Sequence, residues 1–370
     1  MSAITVGGDI VHYEVLGRGR PVVLVHGWMG SWRYWIPIMQ TLHLKYRVYA
    51  LDLFGFGDSA KNAEKYTMDH QINLLTEFMS QLGLGKAVLI GHGLGAQVVA
   101  EFANQHRDMV HRMLIASAPL FDTGDLATRG QKILLTTQDF NAVKATVAAE
   151  SNSNSGNRGG GNDVTVARRE VSAEPLSDAT IPNSRMIDRS RLEQAALARA
   201  EAEIIARKAA EKQPTPPPAS ANPLRPNLDN PLYGRIGKLN SETLLIKCFK
   251  KTEPEYAKLS QDVARQDDAV LTKMTGTFDP GKLLDILRAL PMPVVVVHGV
   301  DDPIIDAPNE NVWTYLTTNK EDSLIPIPLS GVRHFPMLEA ESFMRLVGSF
   351  LEVQDVSKLE VKERWRRRSR

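Results

Sequence analysis

The sequence predicts an α/β architecture, a mostly parallel sheet with helices on both faces. Three observations carry that prediction. Apolar runs of strand length alternate with segments of helical period, several of these runs end in glycine-rich turns, and one passes through such a turn straight into a helix. That last case is residues 86–97, KAVLIGHGLGAQ. Ala87, Val88, Leu89 and Ile90 read as a buried strand, Gly91 to Gly95 as a sharp turn, and the residues from Ala96 to Ala103 continue with helical spacing.

The turn has more than one reading by itself. Glycine is the default residue where φ must be positive, so a plain tight turn fits. The loose dinucleotide fingerprint G-x-G-x-x-A also fits, but it requires an acidic residue closing the next strand. Here the next apolar run ends in Ala116, Ser117, Ala118 and Pro119, so a dinucleotide is not expected, and with no metal-ligand spacing or P-loop in the sequence no other cofactor is implied.

In chain order, residues 4–6 and 10–15 read as a hairpin turning at Gly7, Gly8 and Asp9. Residues 21–26, PVVLVH, and 46–53 follow as buried strands. Thr67 is positioned to cap a helix whose apolar residues Met68, Ile72, Leu75, Phe78, Met79 and Leu82 keep the 3.6 period, and Gly83 stops it. After Pro119 the alternation lapses until about residue 281. The core then resumes with a helix over 282–290, a strand over 293–298 and a last strand over 324–329, and Glu339 opens the final helix.

These breaks divide the chain into a first core part (1–121), an inserted cap or lid (122–281), a second core part (282–352) and a basic tail (353–370). Residues 126–149 have helical pattern. The low-complexity stretch 151–183 begins SNSNSGNRGGGND, with no apolar side chain to offset ordering, and is expected to be a mobile loop. The Ala, Arg and Glu rich run 184–212 reads as a helix with a narrow apolar stripe, either solvated or partner-binding. Residues 213–231 form a Pro-rich connector, and shorter cap helices are expected over 242–249 and 255–264.

Composition limits the function classes. The chain has 370 residues and a net charge of +1, which gives no global field for nucleic acid, and no nucleic-acid partner is expected. The single cysteine, Cys248, excludes an intramolecular disulfide and a thiolate cluster, and no metal-ligand spacing or P-loop is present. No stretch approaches the apolar length of a transmembrane helix, and a cytoplasmic location is expected. The local exception to neutral charge is the tail end KERWRRRSR, a candidate contact for an acidic partner or anionic lipid.

The loops at the strand ends carry a resemblance to the α/β-hydrolase fold superfamily. Gly91-His92-Gly93-Leu94-Gly95 is similar to the G-x-S-x-G nucleophile elbow, with Gly93 at the nucleophile position and its side chain absent. His26-Gly27-Trp28-Met29-Gly30 resembles the oxyanion loop, and Asp52 to Ser59 the loop written DxxGxGxS. Asp302, before Pro303, matches the acid position, and His334 matches the catalytic histidine, preceded by Arg333 where the family has glycine. The chain order of nucleophile position, acid and histidine is the one this fold uses.

The resemblance implies an oxyanion hole at the backbone N–H groups of Trp28 and Leu94 and a substrate pocket at Met29, Trp32, Phe54, Phe56 and Phe335. Such a pocket suits an apolar small molecule with a carbonyl-like group. His92 is a packing residue in this reading. With no nucleophile, the favoured class is a pseudoenzyme that binds a ligand or serves assembly, with a protein partner through helix 184–212 or the tail. The alternative is an enzyme that uses a His334/Asp302 dyad without a covalent intermediate, as a hydrolase, lyase or cofactor-free oxygenase. A Ser-to-Gly trapped mutant of an ester hydrolase is the remaining possibility.

Overall fold

The computed structural model describes residues 2–129 and 230–359. All of these belong to one compact unit. The low-complexity stretch, the helix over 184–212, nearly all of the Pro-rich connector, most of the helical pattern over 126–149 and the tail beyond residue 359 lie outside the described residues.

Eight strands form one sheet: β1 (Ser2–Val6), β2 (Asp9–Gly17), β3 (Arg20–Val25), β4 (Tyr46–Leu51), β5 (Ala87–His92), β6 (Val110–Ala116), β7 (Val294–Gly299) and β8 (Leu324–Leu329). Their order is β1-β2-β4-β3-β5-β6-β7-β8. The opening hairpin is antiparallel and β2 also pairs antiparallel with β4, whereas every pair from β4 to β8 is parallel. Central strands covered on both faces should read as continuous apolar runs. Every residue of β5 and β7 is buried, which is why VVVV in β7 and AVLI in β5 carry no alternation.

The helices are α1 (Ile36–Leu42), α2 (Met68–Gln81), α3 (Leu94–Gln105), α4 (Ser241–Cys248), α5 (Pro254–Val263), α6 (Ala269–Gly276), α7 (Pro280–Ala289), α8 (Glu310–Thr317), α9 (Pro336–Glu339) and α10 (Glu341–Glu352). Thr67 caps α2 as its position predicts, its hydroxyl accepting from the His70 amide. The two short cap helices fall within a residue or two of expectation as α4 and α5, and both pack on the same unit as the sheet.

Several elements depart from the sequence expectation. Helices α1, α6 and α8 have no counterpart in it. Each is only seven or eight residues long, about two turns, so the helical period barely repeats. Glu339 does not open the final helix. It closes the short α9, Ala340 is extended with φ −133 and ψ 113, and α10 begins at Glu341. The Glu339 carboxylate instead accepts from the Arg333 and Phe335 amides and so braces the loop that carries His334.

Parallel pairing puts the carboxyl ends of β3, β5, β7 and β8 on one edge. The loops with Trp28, Gly93, Asp302 and His334 therefore emerge together, where open α/β sheets place their ligand sites.

Candidate active site

The elbow is formed by β5 running through Gly93 into α3. Gly93 has φ 51 and ψ −111, a region that a residue with a Cβ enters only under strain. Gly95, two residues on, lets α3 approach β3: a Cβ there would lie 2.2 Å from the Val25 carbonyl oxygen. The Leu94 amide is in the first turn of α3, where helix N–H groups have no intrahelical acceptor, so it is available to an oxyanion.

The space over Gly93 is taken by Trp28. A Cβ on Gly93 would stand 2.8 Å from the indole Nε1 and 2.9 Å from Cδ1. Trp28 is fully buried, and its N–H has no acceptor among the described residues.

His334 and Asp302 meet. His334 Nδ1 lies 2.7 Å from Asp302 Oδ2, and both side chains are buried. Asp302 Oδ1 accepts from the amides of Ile304 (2.8 Å) and Ile305 (3.0 Å), which fixes the carboxylate and leaves Oδ2 for the histidine. His334 Nδ1 must therefore carry the proton, and Nε2 is left as an acceptor with no partner among the described residues. The neighbouring Asp301 points elsewhere, its Oδ2 accepting from the Gly331 amide.

A chain of buried groups holds the histidine from behind. The His334 carbonyl accepts from His92 Nε2 at 2.7 Å and from the Ser117 hydroxyl at 3.0 Å. His92 Nδ1 takes the hydrogen of the Tyr34 hydroxyl at 3.0 Å, and the Tyr34 oxygen accepts from the Gly27 amide at 2.6 Å. Burial, followed by the charge of His334, pushes the His92 pKa well below its ordinary value, so the ring is neutral with its hydrogen on Nε2. His92 thus links the oxyanion loop to the histidine loop. Replacing it with phenylalanine should cost about 1–3 kcal/mol in urea unfolding, because Tyr34 and the His334 carbonyl each lose a partner in a dry site.

The other sequence-predicted residues divide into two groups. Phe335 lies against His334, His92 and Tyr34, with ring centroids 5.1 to 5.9 Å away. Met29 is buried with φ 61, its amide donating to Gln266 Oε1 at 3.1 Å. Phe56 packs on His26, and the Phe54 backbone is held at both ends by the Gln71 amide group. Trp32 is directed away from this cluster, its ring near His12 and under the Arg33 guanidinium.

Sequence reasoning missed the residues that latch the cap segment to the site: Gln266, Asp262 and the partners of Arg333. Arg333 donates to Glu339, to the Cys248 carbonyl and to Glu253, with its guanidinium over Phe249. A signal existed in that this arginine stands where a glycine was expected. Asp262 accepts from the Ser31 hydroxyl at 2.8 Å and is 2 % exposed. Burial raises its pKa to about 6. The folded chain therefore holds a proton that the unfolded chain releases near pH 4, so stability should fall as pH rises from 4 to 6 and then level off, by about 3 kcal/mol in all. Urea unfolding of Asp262→Asn should lack this decline, and a parent chain with no decline would contradict the assignment.

His12, Asp52 and Asp58 also converge, with both carboxylates engaged and His12 Nε2 without a hydrogen-bond partner among the described residues. Asp52 takes the Trp32 and Asp58 amides and contacts His12, while Asp58 pairs with Arg33 and Arg265.

With this geometry in place, the comparisons with known proteins are decisive for family. A family model described as alpha/beta hydrolase fold matches residues 20–326. The chain belongs to the alpha/beta hydrolase family. Among curated relatives it is similar to a soluble epoxide hydrolase of Corynebacterium sp. (strain C12), 37% identical over 110 residues, 30% of this chain and 38% of that one. It is also similar to a 2-hydroxy-6-oxo-6-(2'-aminophenyl)hexa-2,4-dienoic acid hydrolase of Metapseudomonas resinovorans, 32% identical over 30% of this chain and 40% of that one. The chain thus matches less than half the length of either relative.

Solved structures of the same fold include a thermophilic esterase of Thermogutta terrifontis, with TM-score 0.56, 17% identity and coverage of 95% of this chain and 98% of that one. Another is a serine-to-glycine mutant of the N-acyl homoserine lactonase AidH bound to N-hexanoyl homoserine lactone, with TM-score 0.57, 18% identity and coverage of 95% and 96%. Among the described residues no helix is long and apolar enough to cross a membrane.

Proposed function

We propose that this alpha/beta hydrolase family member is an enzyme in which His334, oriented by Asp302, acts as a general base with no covalent nucleophile at position 93. The observation that carries the reading is the buried dyad: Nδ1 engaged by Asp302, the carboxylate held by two amides, and Nε2 left without a partner among the described residues.

In the hydrolytic form of the reaction, His334 Nε2 takes a proton from water as its oxygen bonds to a carbonyl carbon. The Leu94 and Trp28 backbone amides stabilise the oxyanion, and on collapse the imidazolium returns the proton to the leaving oxygen. An apolar ester or lactone suits the aromatic surroundings of the dyad, Phe335 and Phe249 above all. A cavity of about 450 Å³ lies on the far side of Tyr34, between Ile36, Pro37, Leu259 and Leu338, and Gly93, Asp302 and His334 are not among its lining residues.

The fit of Trp28 over Gly93 favours one second reading, a ligand-binding protein without turnover, and weighs against a simple laboratory exchange of serine for glycine. Hydrolysis of short and medium chain chromogenic esters and lactones by the parent chain and by His334→Ala separates them. Turnover lost in the variant supports the enzyme. Absence of turnover by the parent across the panel favours binding.

A further inference from the structure

At the opposite edge of the sheet from Gly93, the amino ends of β3, β5 and β6 bring three basic side chains into one concavity. Arg20, Lys86 and His111 line a cavity of about 240 Å³ whose remaining walls include Pro21, Val88 and Leu351. All three basic residues are exposed. Among the described residues none has a carboxylate partner, and the ion pair on this edge, Lys45 with Glu352, involves other groups.

The ladder itself is adjusted here. Ala87 pairs with Val110 but Val88 with Arg112, so His111 is the extra residue of a β-bulge, the device by which a strand re-aims a side chain. Arg112, next in sequence, is 7 % exposed. Its guanidinium donates to the carbonyls of Phe350 (2.7 Å) and Val353 (2.6 Å), and among the described residues Nε has no acceptor and no carboxylate pairs with it. Buried arginines are normally paired. Burial first, and then Arg112, Lys86 and Arg20 in turn, hold His111 below the ordinary histidine pKa.

We propose that this concavity binds a phosphate group, supplied either by a small phosphate ester or by a phospholipid head, with Arg20, Lys86 and His111 as its direct partners. Three permanent positive charges, Arg20, Lys86 and Arg112, match a phosphate dianion better than a single carboxylate. The cavity takes one phosphate with a short apolar attachment against Pro21, Val88 and Leu351. The site is independent of the chemistry at Gly93.

The test follows the His111 ring by NMR in the full chain, its resonance assigned by loss in His111→Gln. Titration is compared in chloride and in inorganic phosphate at equal ionic strength. Phosphate should raise the His111 pKa by about 0.5–1 unit, saturably, because an anion in contact favours the imidazolium. In Arg20→Gln/Lys86→Gln the apparent affinity should fall at least about tenfold. Vesicles of phosphatidylcholine with and without phosphatidate form the second arm. A response to free phosphate assigns a small ester, whereas a response only to phosphatidate assigns a lipid head, and either supports the site. Identical His111 titrations in every condition, or a response that survives in the double variant, would overturn it.

Discussion

Gly93→Ser is expected to destabilise the chain without creating an esterase. The new Cβ would meet Trp28 Nε1 at 2.8 Å, and Trp28 is fully buried. Overpacking of this kind costs about 1–3 kcal/mol, and a side chain at φ 51, ψ −111 adds backbone strain of similar order. Urea unfolding measures the sum. The diagnostic is the cycle with Trp28→Ala: the serine should cost markedly less in that background, because the two residues compete for one volume. Equal costs in both backgrounds would mean that the indole does not hold that space. A rise in ester hydrolysis in the single variant would mean that Trp28 yields readily.

The second large effect is expected from Asp302→Asn. The side-chain oxygen of asparagine can keep the amide bonds to Ile304 and Ile305, so the fold should survive. Its NH₂ then faces His334 Nδ1 and forces the ring hydrogen onto Nε2, the nitrogen that must accept a proton. General-base catalysis typically contributes about 10²–10⁴-fold, and kcat/KM should fall within that range while substrate affinity changes little. A variant as active as the parent would remove the dyad from the mechanism.

Much of this arrangement of loops was legible in the sequence because they interrupt unmistakable apolar runs. PVVLVH, KAVLIGHGLGAQ and PVVVVH each mark a strand end, and Trp28, Gly93 and Asp302 follow from them. The dyad contact between Asp302 and His334 spans 32 residues, and only the parallel order of β7 and β8 brings it about. What remained unread depends on side chains meeting across long separations. Met29 and Gln266 are 237 residues apart, Ser31 and Asp262 231, and no periodicity announces such pairs. His92 looked like packing for the same reason, since its role lies in the Tyr34 hydroxyl and the His334 carbonyl. Trp28 over Gly93 was invisible because loss of a side chain at one position says nothing of which neighbour fills the space.

The claim that the dyad works without a covalent nucleophile is tested most directly by intact-mass spectrometry of the chain quenched during turnover of an activated ester. The account predicts the unmodified mass at every time point, with product released linearly from the first turnover and lost in His334→Ala. A mass increase equal to the acyl group, accumulating with an initial burst, would contradict it.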